Sequence, residues 1–188
     1  LNALMNACAR ASDVEAMFRW KEEMERLGYK TDRYAYGAII YGYAKVGRLR
    51  EAEEWVARMK EDGFKIENNV YGGLLQGCAN VGDGERAEAW LIRMREDGST
   101  PDSRAYCSVI AAWAAHGDIP RMHRVLEEMR DHRIRPDVYV FEALFDGCAA
   151  SNDENKRLRS QEYFGLMRRL NIRQSIVTMN AYNRSQEA

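Results

Sequence analysis

No apolar run in this sequence approaches the roughly 20 residues that a helix needs to cross a bilayer, so no membrane-spanning helix is expected. An excess of positive charge is missing as well. The formal net charge is -1 and the pI about 6.4, which argues against indiscriminate polyanion binding and leaves room only for a local basic stripe. The four cysteines include no Cys-x-x-Cys pair, and the three histidines His116, His123 and His132 have no cysteine or carboxylate at ligand spacing, so no metal site is expected. There is no glycine-rich phosphate loop, no Gly-x-Ser-x-Gly elbow and no His-x-Glu followed by paired cysteines. We therefore expect no catalysis, no cofactor and no small-molecule substrate.

What the chain does have is a period. Met24, Met59, Met94 and Met129 stand 35 residues apart, and the surrounding segments repeat with them. The stretch from Tyr36 to Gly47 answers to that from Tyr71 to Gly82, and again to Tyr106 through Gly117. A period of this length marks one supersecondary unit stacked on its own copies, because a single unit cannot bury its apolar face alone. Function is then to be sought on a continuous surface.

Each period reads as two helices. Tyr36, Ile39, Ile40, Tyr43 and Ala44 fall at i, i+3, i+4, i+7 and i+8, one helical face, and Gly47 ends the run. Leu49, Ala52, Trp55, Val56 and Met59 form the inner side of a second helix that closes at Gly63, a residue suited to the left-handed conformation after a helix end. Gly82 and Gly98 repeat that punctuation. Pro101 and Pro136 stand just before the next first helix, and Pro120 opens a second helix, where proline is well tolerated. The units run 1–32, 33–67, 68–102, 103–137 and 138–175, with a partial sixth over 176–188. Three extra residues in the fifth are absorbed near Ser151 to Asn155. Neither end carries a clear polar cap, and we expect the array, a single body over 1–188, to be a segment of a longer one.

Placed in the repeat, Cys8, Cys78 and Cys148 share one position, taken by Tyr43 and Trp113 in the other units, and are read as core. Trp20, Trp55 and Trp90 recur on second helices as packing residues. The carboxylates of the second helices, such as Glu51, Glu53 and Glu54, sit beside arginines and lysines as solvated faces.

The Tyr-x-x-x-Ile/Leu first helix, the Gly-x-x-x-x-Ala opening of the second, the Met-Lys/Arg-Glu-x-Gly ending and the Pro-Asp close together resemble the pentatricopeptide repeat. The segment from Tyr41 to Ala52 lies close to the family pattern, and the likeness covers nearly the whole chain. The tetratricopeptide repeat has a period of 34 and a Trp-x-x-Leu-Gly pattern that is missing here. The resemblance implies an all-α, right-handed solenoid of helical hairpins whose first helices line a groove for single-stranded RNA, one base per repeat.

In the family, the fifth residue of the first helix and the last residue of the repeat read a base edge. These positions are Asn2 with Asp32, Gly37 with Glu67, Gly72 with Asp102, Cys107 with Asp137, and Glu142 with Ser175, followed by Asn180 in the partial unit. Only Asn2 and Asp32 match a familiar pair, one that prefers uracil. Gly37 and Gly72 have no side chain to reach a base, and Glu142 sets a carboxylate beside a polyanion. The base-stacking position holds Tyr34, Asn69, Arg104, Tyr139 and Val177, and the two tyrosines read equally well as inter-repeat packing. A lysine that touches phosphate in the family is matched by Arg10 and Lys45, then fades to Asn80, Ala115 and Ala150.

Two functions remain open at this level. One is a single-stranded RNA-binding adaptor in organellar RNA metabolism, with degenerate reading positions. The other is a non-catalytic scaffold that holds protein partners in a larger organellar complex. Gly37, Gly72 and Glu142 favour the scaffold, while Asn2, Asp32, Arg10 and Lys45 favour RNA. The family implies a mitochondrion or chloroplast.

Overall fold

Eleven helices account for the described residues, 1–187, of the computed structural model. First helices are α1 (Asn2–Arg10), α3 (Arg33–Lys45), α5 (Asn68–Val81), α7 (Ser103–Ala114), α9 (Val138–Ala150) and α11 (Ile176–Gln186). Second helices are α2 (Val14–Arg26), α4 (Leu49–Glu61), α6 (Gly84–Glu96), α8 (Ile119–Asp131) and α10 (Lys156–Arg169). The first helices α1, α3, α5, α7 and α9 each pack on their own second helix, and all six first helices pack on the first helices of their neighbours. The result is an inner layer of first helices and an outer layer of second helices.

Helix starts are set by side chains. Asp13, Asp32, Asp83, Asp102, Asp118, Asp137 and Ser175 each accept a backbone N–H from three residues on, a cap of about 1 kcal/mol. Helix ends use the left-handed region. Gly28, Gly63 and Gly98 follow second helices at φ near +80°, but the same step in the fourth unit falls on Arg133, at φ 59°. A side chain in that conformation costs on the order of 1–2 kcal/mol. Arg133→Gly is therefore expected to raise stability by about 0.5–1 kcal/mol after glycine's own entropy cost, read as a higher midpoint in urea.

The core runs unbroken between the layers. Met17, Met59, Met94 and Met129 are buried under the second helices, and Tyr71, Tyr106, Phe141 and Tyr163 are fully enclosed. Trp55 and Trp90 are buried, with Trp20 packed at the margin. Helix approach depends on a small residue at one position of each first helix: Gly42, Gly77, Ala112 and Gly147. A methyl built on Gly77 would lie 2.6 Å from the carbonyl oxygen of Ala44, so α3 and α5 meet backbone to backbone there. Tyrosine tethers add a polar tie inside the unit. Tyr36 donates to Asp62 at 2.6 Å and Tyr71 donates to Asp97, each linking a first helix to the end of its second. Burial, helped by the Asp62 carboxylate, pushes the Tyr36 hydroxyl up to about 12.

Candidate nucleic-acid interface

Residues that begin a first helix and point away from its second helix collect on one side of the inner layer. There they line two recesses, one of about 660 Å³ between α1, α3, α5 and α7, the other of about 870 Å³ between α3, α5, α7 and α9. Tyr41, Asn69 and Arg104 form walls of both, so the recesses are two parts of one groove. Tyr34 and Tyr139 stand 57% and 65% exposed at its edge. Val177 is also exposed, on α11, as is Asn180.

The fifth-position and last-position residues do meet across the units, and several are already bonded. Asn2 Nδ2 donates to Asp32 Oδ2 at 2.8 Å, while Asp32 Oδ1 caps α3 through Ala35 N at 2.8 Å. With its amide nitrogen so engaged, Asn2 keeps Oδ1 buried and without a partner, an acceptor in want of a donor. Glu142 Oε1 accepts from Ser175 Oγ at 3.1 Å and from Thr178 Oγ1 at 2.9 Å, so its charge is held by two hydroxyls. Asp137 caps α9 and accepts from Ser103 Oγ at 2.9 Å. Asp102 caps α7 at 2.9 Å, and Glu67 pairs with Arg33 at 3.3 Å without capping α5. Gly37 and Gly72 leave open space instead. Nothing lies within 4 Å of a methyl built on Gly72.

Asp32, Asp102, Asp137 and Ser175, the last residues of four units, thus work as N-caps before any ligand arrives. Periodicity alone did not show this, although a carboxylate just before an apolar-periodic run is a signal for it. Three further features escaped the sequence reading. Arg104, placed at the stacking position, is exposed and has no carboxylate within 4.0 Å among the described residues, which makes it the free cation at the centre of the groove. Arg33 packs over the Tyr34 ring at 4.7 Å and donates to its hydroxyl at 2.7 Å. Tyr41 lies along the bare backbone of Gly73, 3.1 Å from where a methyl would stand, and paves the groove floor. Of the two phosphate candidates, Arg10 lines the first recess, while the Lys45 ammonium donates to the carbonyl oxygen of Arg10.

The cysteines follow their burial. Cys78 and Cys148 are enclosed, and burial pushes both thiols up to about 12. Cys107, on the groove wall, is pushed up to about 11 by burial and then by Asp137 and Glu142. Cys8 is half-buried on α1, less enclosed than its counterparts. Thiolate is the reactive form, so iodoacetamide near neutral pH is expected to spare Cys78, Cys107 and Cys148 in the folded chain. Mass spectrometry should find Cys8 labelled first, and all four only in denaturant.

No group of three or more His, Cys, Asp or Glu able to hold a metal ion occurs among the described residues, and no helix among them is long and apolar enough to cross a membrane. A stack of helical hairpins with a groove walled by first helices defines a helical-repeat solenoid. A family model described as the pentacotripeptide-repeat region of PRORP matches residues 1–187, and the chain belongs to that family. Its structure superposes on the maize pentatricopeptide repeat protein PPR10 with a TM-score of 0.81 at 22% identity, covering 97% of this chain and 26% of that one. The chain thus spans about a quarter of the maize protein. PPR10 bound to an 18-nt psaJ RNA element gives a TM-score of 0.82 at 21% identity, covering 98% and 27%. The PPR domain of Arabidopsis thaliana protein-only RNase P 1, in complex with tRNA, gives 0.75 at 19% identity, covering 98% of this chain and 95% of that domain. At such identities the likeness is one of fold, a right-handed α-solenoid. No curated protein sequence matches the chain.

Proposed function

We propose that this chain is a non-catalytic adaptor that binds single-stranded RNA along its inner groove and acts in the RNA metabolism of a mitochondrion or chloroplast. The observation that carries the reading is the groove itself: exposed tyrosine rings at Tyr34 and Tyr139, the floor ring of Tyr41, and an unpaired Arg104 between them. Unstacked bases bind aromatic faces at about 1–3 kcal/mol each, and a guanidinium supplies the backbone contact. Two proteins of the same fold, PPR10 with an 18-nt psaJ RNA element and the PPR domain of protein-only RNase P 1 with tRNA, bind RNA, which supports RNA as the ligand. Base selection rests on few residues. Asn2 and Asp32, bonded to each other, are the one pair of the familiar base-reading kind, whereas Gly37 and Gly72 give room without hydrogen bonds, so we expect tolerant binding of sequence along most of the groove.

The test is fluorescence anisotropy with short single-stranded RNAs of varied sequence at two salt concentrations. Tyr139→Ala with Arg104→Glu is expected to weaken binding by about tenfold or more, since one lost stack alone is worth about 1–3 kcal/mol. Asn2→Ala should flatten sequence preference at one position. Asp32 is best changed to Asn, which keeps the helix cap. Equal, weak binding by wild type and the groove variant would sink the RNA reading and leave the protein scaffold, for which the groove carboxylates Glu67, Asp102 and Glu142 would be the attachment chemistry.

A further inference from the structure

The outer helix of the fifth unit departs from its counterparts in charge. From Lys156 to Arg173 the chain carries Lys156, Arg157, Arg159, Arg168, Arg169 and Arg173 against one carboxylate, Glu162. On the earlier outer helices, Arg86, Arg121, Arg124 and Lys60 are matched by acids across the unit boundary, with Glu53 at 3.2 Å, Glu85 at 3.3 Å, Glu88 at 2.5 Å and Asp97 at 2.9 Å respectively. One period beyond Glu85 and Glu88 stand Pro120 and His123, so α8 offers α10 no carboxylate at those places. The acids at the end of the second helix disappear too. Glu61, Glu96 and Asp131 are followed in the series by Arg169, and Asp62 and Asp97 by His132 and then Leu170.

Only Arg159 finds a partner, Glu162 at 2.9 Å. Lys156, Arg157, Arg168, Arg169 and Arg173 have no carboxylate within 4.0 Å among the described residues, and all but Lys156 are exposed. Arg157, Gln161 and Arg168 fall at i, i+4 and i+11, one line along α10 about 16 Å long. Arg168 and Arg169 stand in the last turn, where a helix favours cations, but folding does not account for the charge at the start of α10. Lys156 and Arg157 occupy the first turn, where the helix dipole disfavours cations, while α2, α4 and α6 place Glu15, Glu51 and Glu85 there.

We infer that this face is a second, sequence-independent site for the sugar-phosphate backbone of RNA lying outside the groove. Arginine forks suit phosphate oxygens, and cations on a convex helix reach a backbone but no base edge. An acidic protein fits less well. Protein interfaces centre on buried apolar or aromatic anchors, and here Leu158 alone is an exposed large hydrophobic residue, since Tyr163 is enclosed and Phe164 stacks on Tyr182 at 4.5 Å. The inference rests on the RNA reading of the groove only in taking RNA as the polyanion. The outer site would hold a structured segment next to the strand that the groove takes up, adding affinity without adding base choice.

Three probes test this: a short unstructured RNA, the same RNA extended by a stable hairpin, and the hairpin alone, each titrated by anisotropy at two salt concentrations. In wild type the extended RNA should bind about tenfold tighter than the short one, with a salt slope steeper by roughly 2–3, at about 0.7–0.9 for each neutralised phosphate. The variant Arg157→Glu, Arg168→Glu, Arg169→Glu, Arg173→Glu should lose that gain, bind the short RNA as wild type does, and melt at an unchanged temperature. A hairpin that adds nothing in wild type overturns the inference, and so does a variant that keeps the full gain, the result expected if an acidic protein occupies the face. Groove variants lose the short RNA but keep the hairpin alone, so failure of the groove reading and failure of this one give different patterns.

Discussion

Gly77→Ala should destabilise the chain by about 2 kcal/mol, while Gly72→Ala, five residues earlier on the same helix, should stabilise it by about 0.5–1 kcal/mol. Both changes replace glycine in a helix interior and gain the same backbone propensity. What differs is the neighbour. The added methyl at Gly77 meets the Ala44 oxygen at 2.6 Å, its Cβ at 2.8 Å and its carbonyl carbon at 2.9 Å, none of which swings aside as a side-chain tip would. Relief requires α5 to move off α3, which loosens every contact of that interface. Gly72 opens on the groove with nothing within 4 Å. For a chain of this size the first change lowers the melting temperature by about 4–8 °C and the second raises it by about 1–4 °C. Circular dichroism melts of the two variants decide the matter, and a Gly77→Ala protein as stable as wild type would mean that the α3–α5 spacing is slack.

Phe145→Ala should cost about 3–5 kcal/mol, and the loss should be local. Phe145 is fully buried on α9, with Phe141 at 6.4 Å and Tyr182 of α11 at 5.4 Å between ring centroids. Helix α11 is also held to α9 by the polar contacts Thr178–Glu142 and Arg184–Asp146, and to α10 by the Phe164–Tyr182 stack and the Ser160–Ser185 hydroxyl pair, so Phe145 is its main apolar anchor on α9. Stacked repeats share stability mainly with their nearest neighbours, so a defect at one step unzips what lies beyond it before it disturbs the rest. Hydrogen exchange should show α11 amides unprotected in the variant while α3 to α6 keep wild-type protection. Uniform loss across all units would instead indicate one indivisible cooperative block.

The helices and the core were legible in the sequence because both follow from the period. Tyr36, Ile39, Ile40, Tyr43 and Ala44 share a face, all are buried in the structure, and the helix stops where Gly47 takes a left-handed φ of 78°. Cys78 and Cys148 lie in the core as their repeat position implied, and Cys8 less so because α1 has a neighbouring first helix on one side only. Groove chemistry was less legible. A period places Asn2 and Asp32 at equivalent positions in every unit, but whether their side chains bond each other depends on distances across a unit boundary that spacing does not encode. Counting along the repeat puts Arg104 at a base-stacking position but does not show that it lacks a carboxylate partner among the described residues. Its place at the centre of the groove, on the wall shared by both recesses, shows only in three dimensions. The exposed cations of α10 appear as a patch only when the acids missing from α8 are counted against those present on α4 and α6.

The caps at Asp32, Asp102, Asp137 and Ser175 carry one more implication. The position that closes each repeat draws its residues from a short vocabulary, because aspartate, asparagine, serine and threonine start a helix well and most other residues do not. Whatever message the groove conveys is therefore written in letters that folding has already screened. Glu67, which caps nothing, marks the unit where that screen is relaxed. Rewriting the closing residues of such an array can proceed freely within those four letters, and each step outside them draws on the stability of the helix that follows.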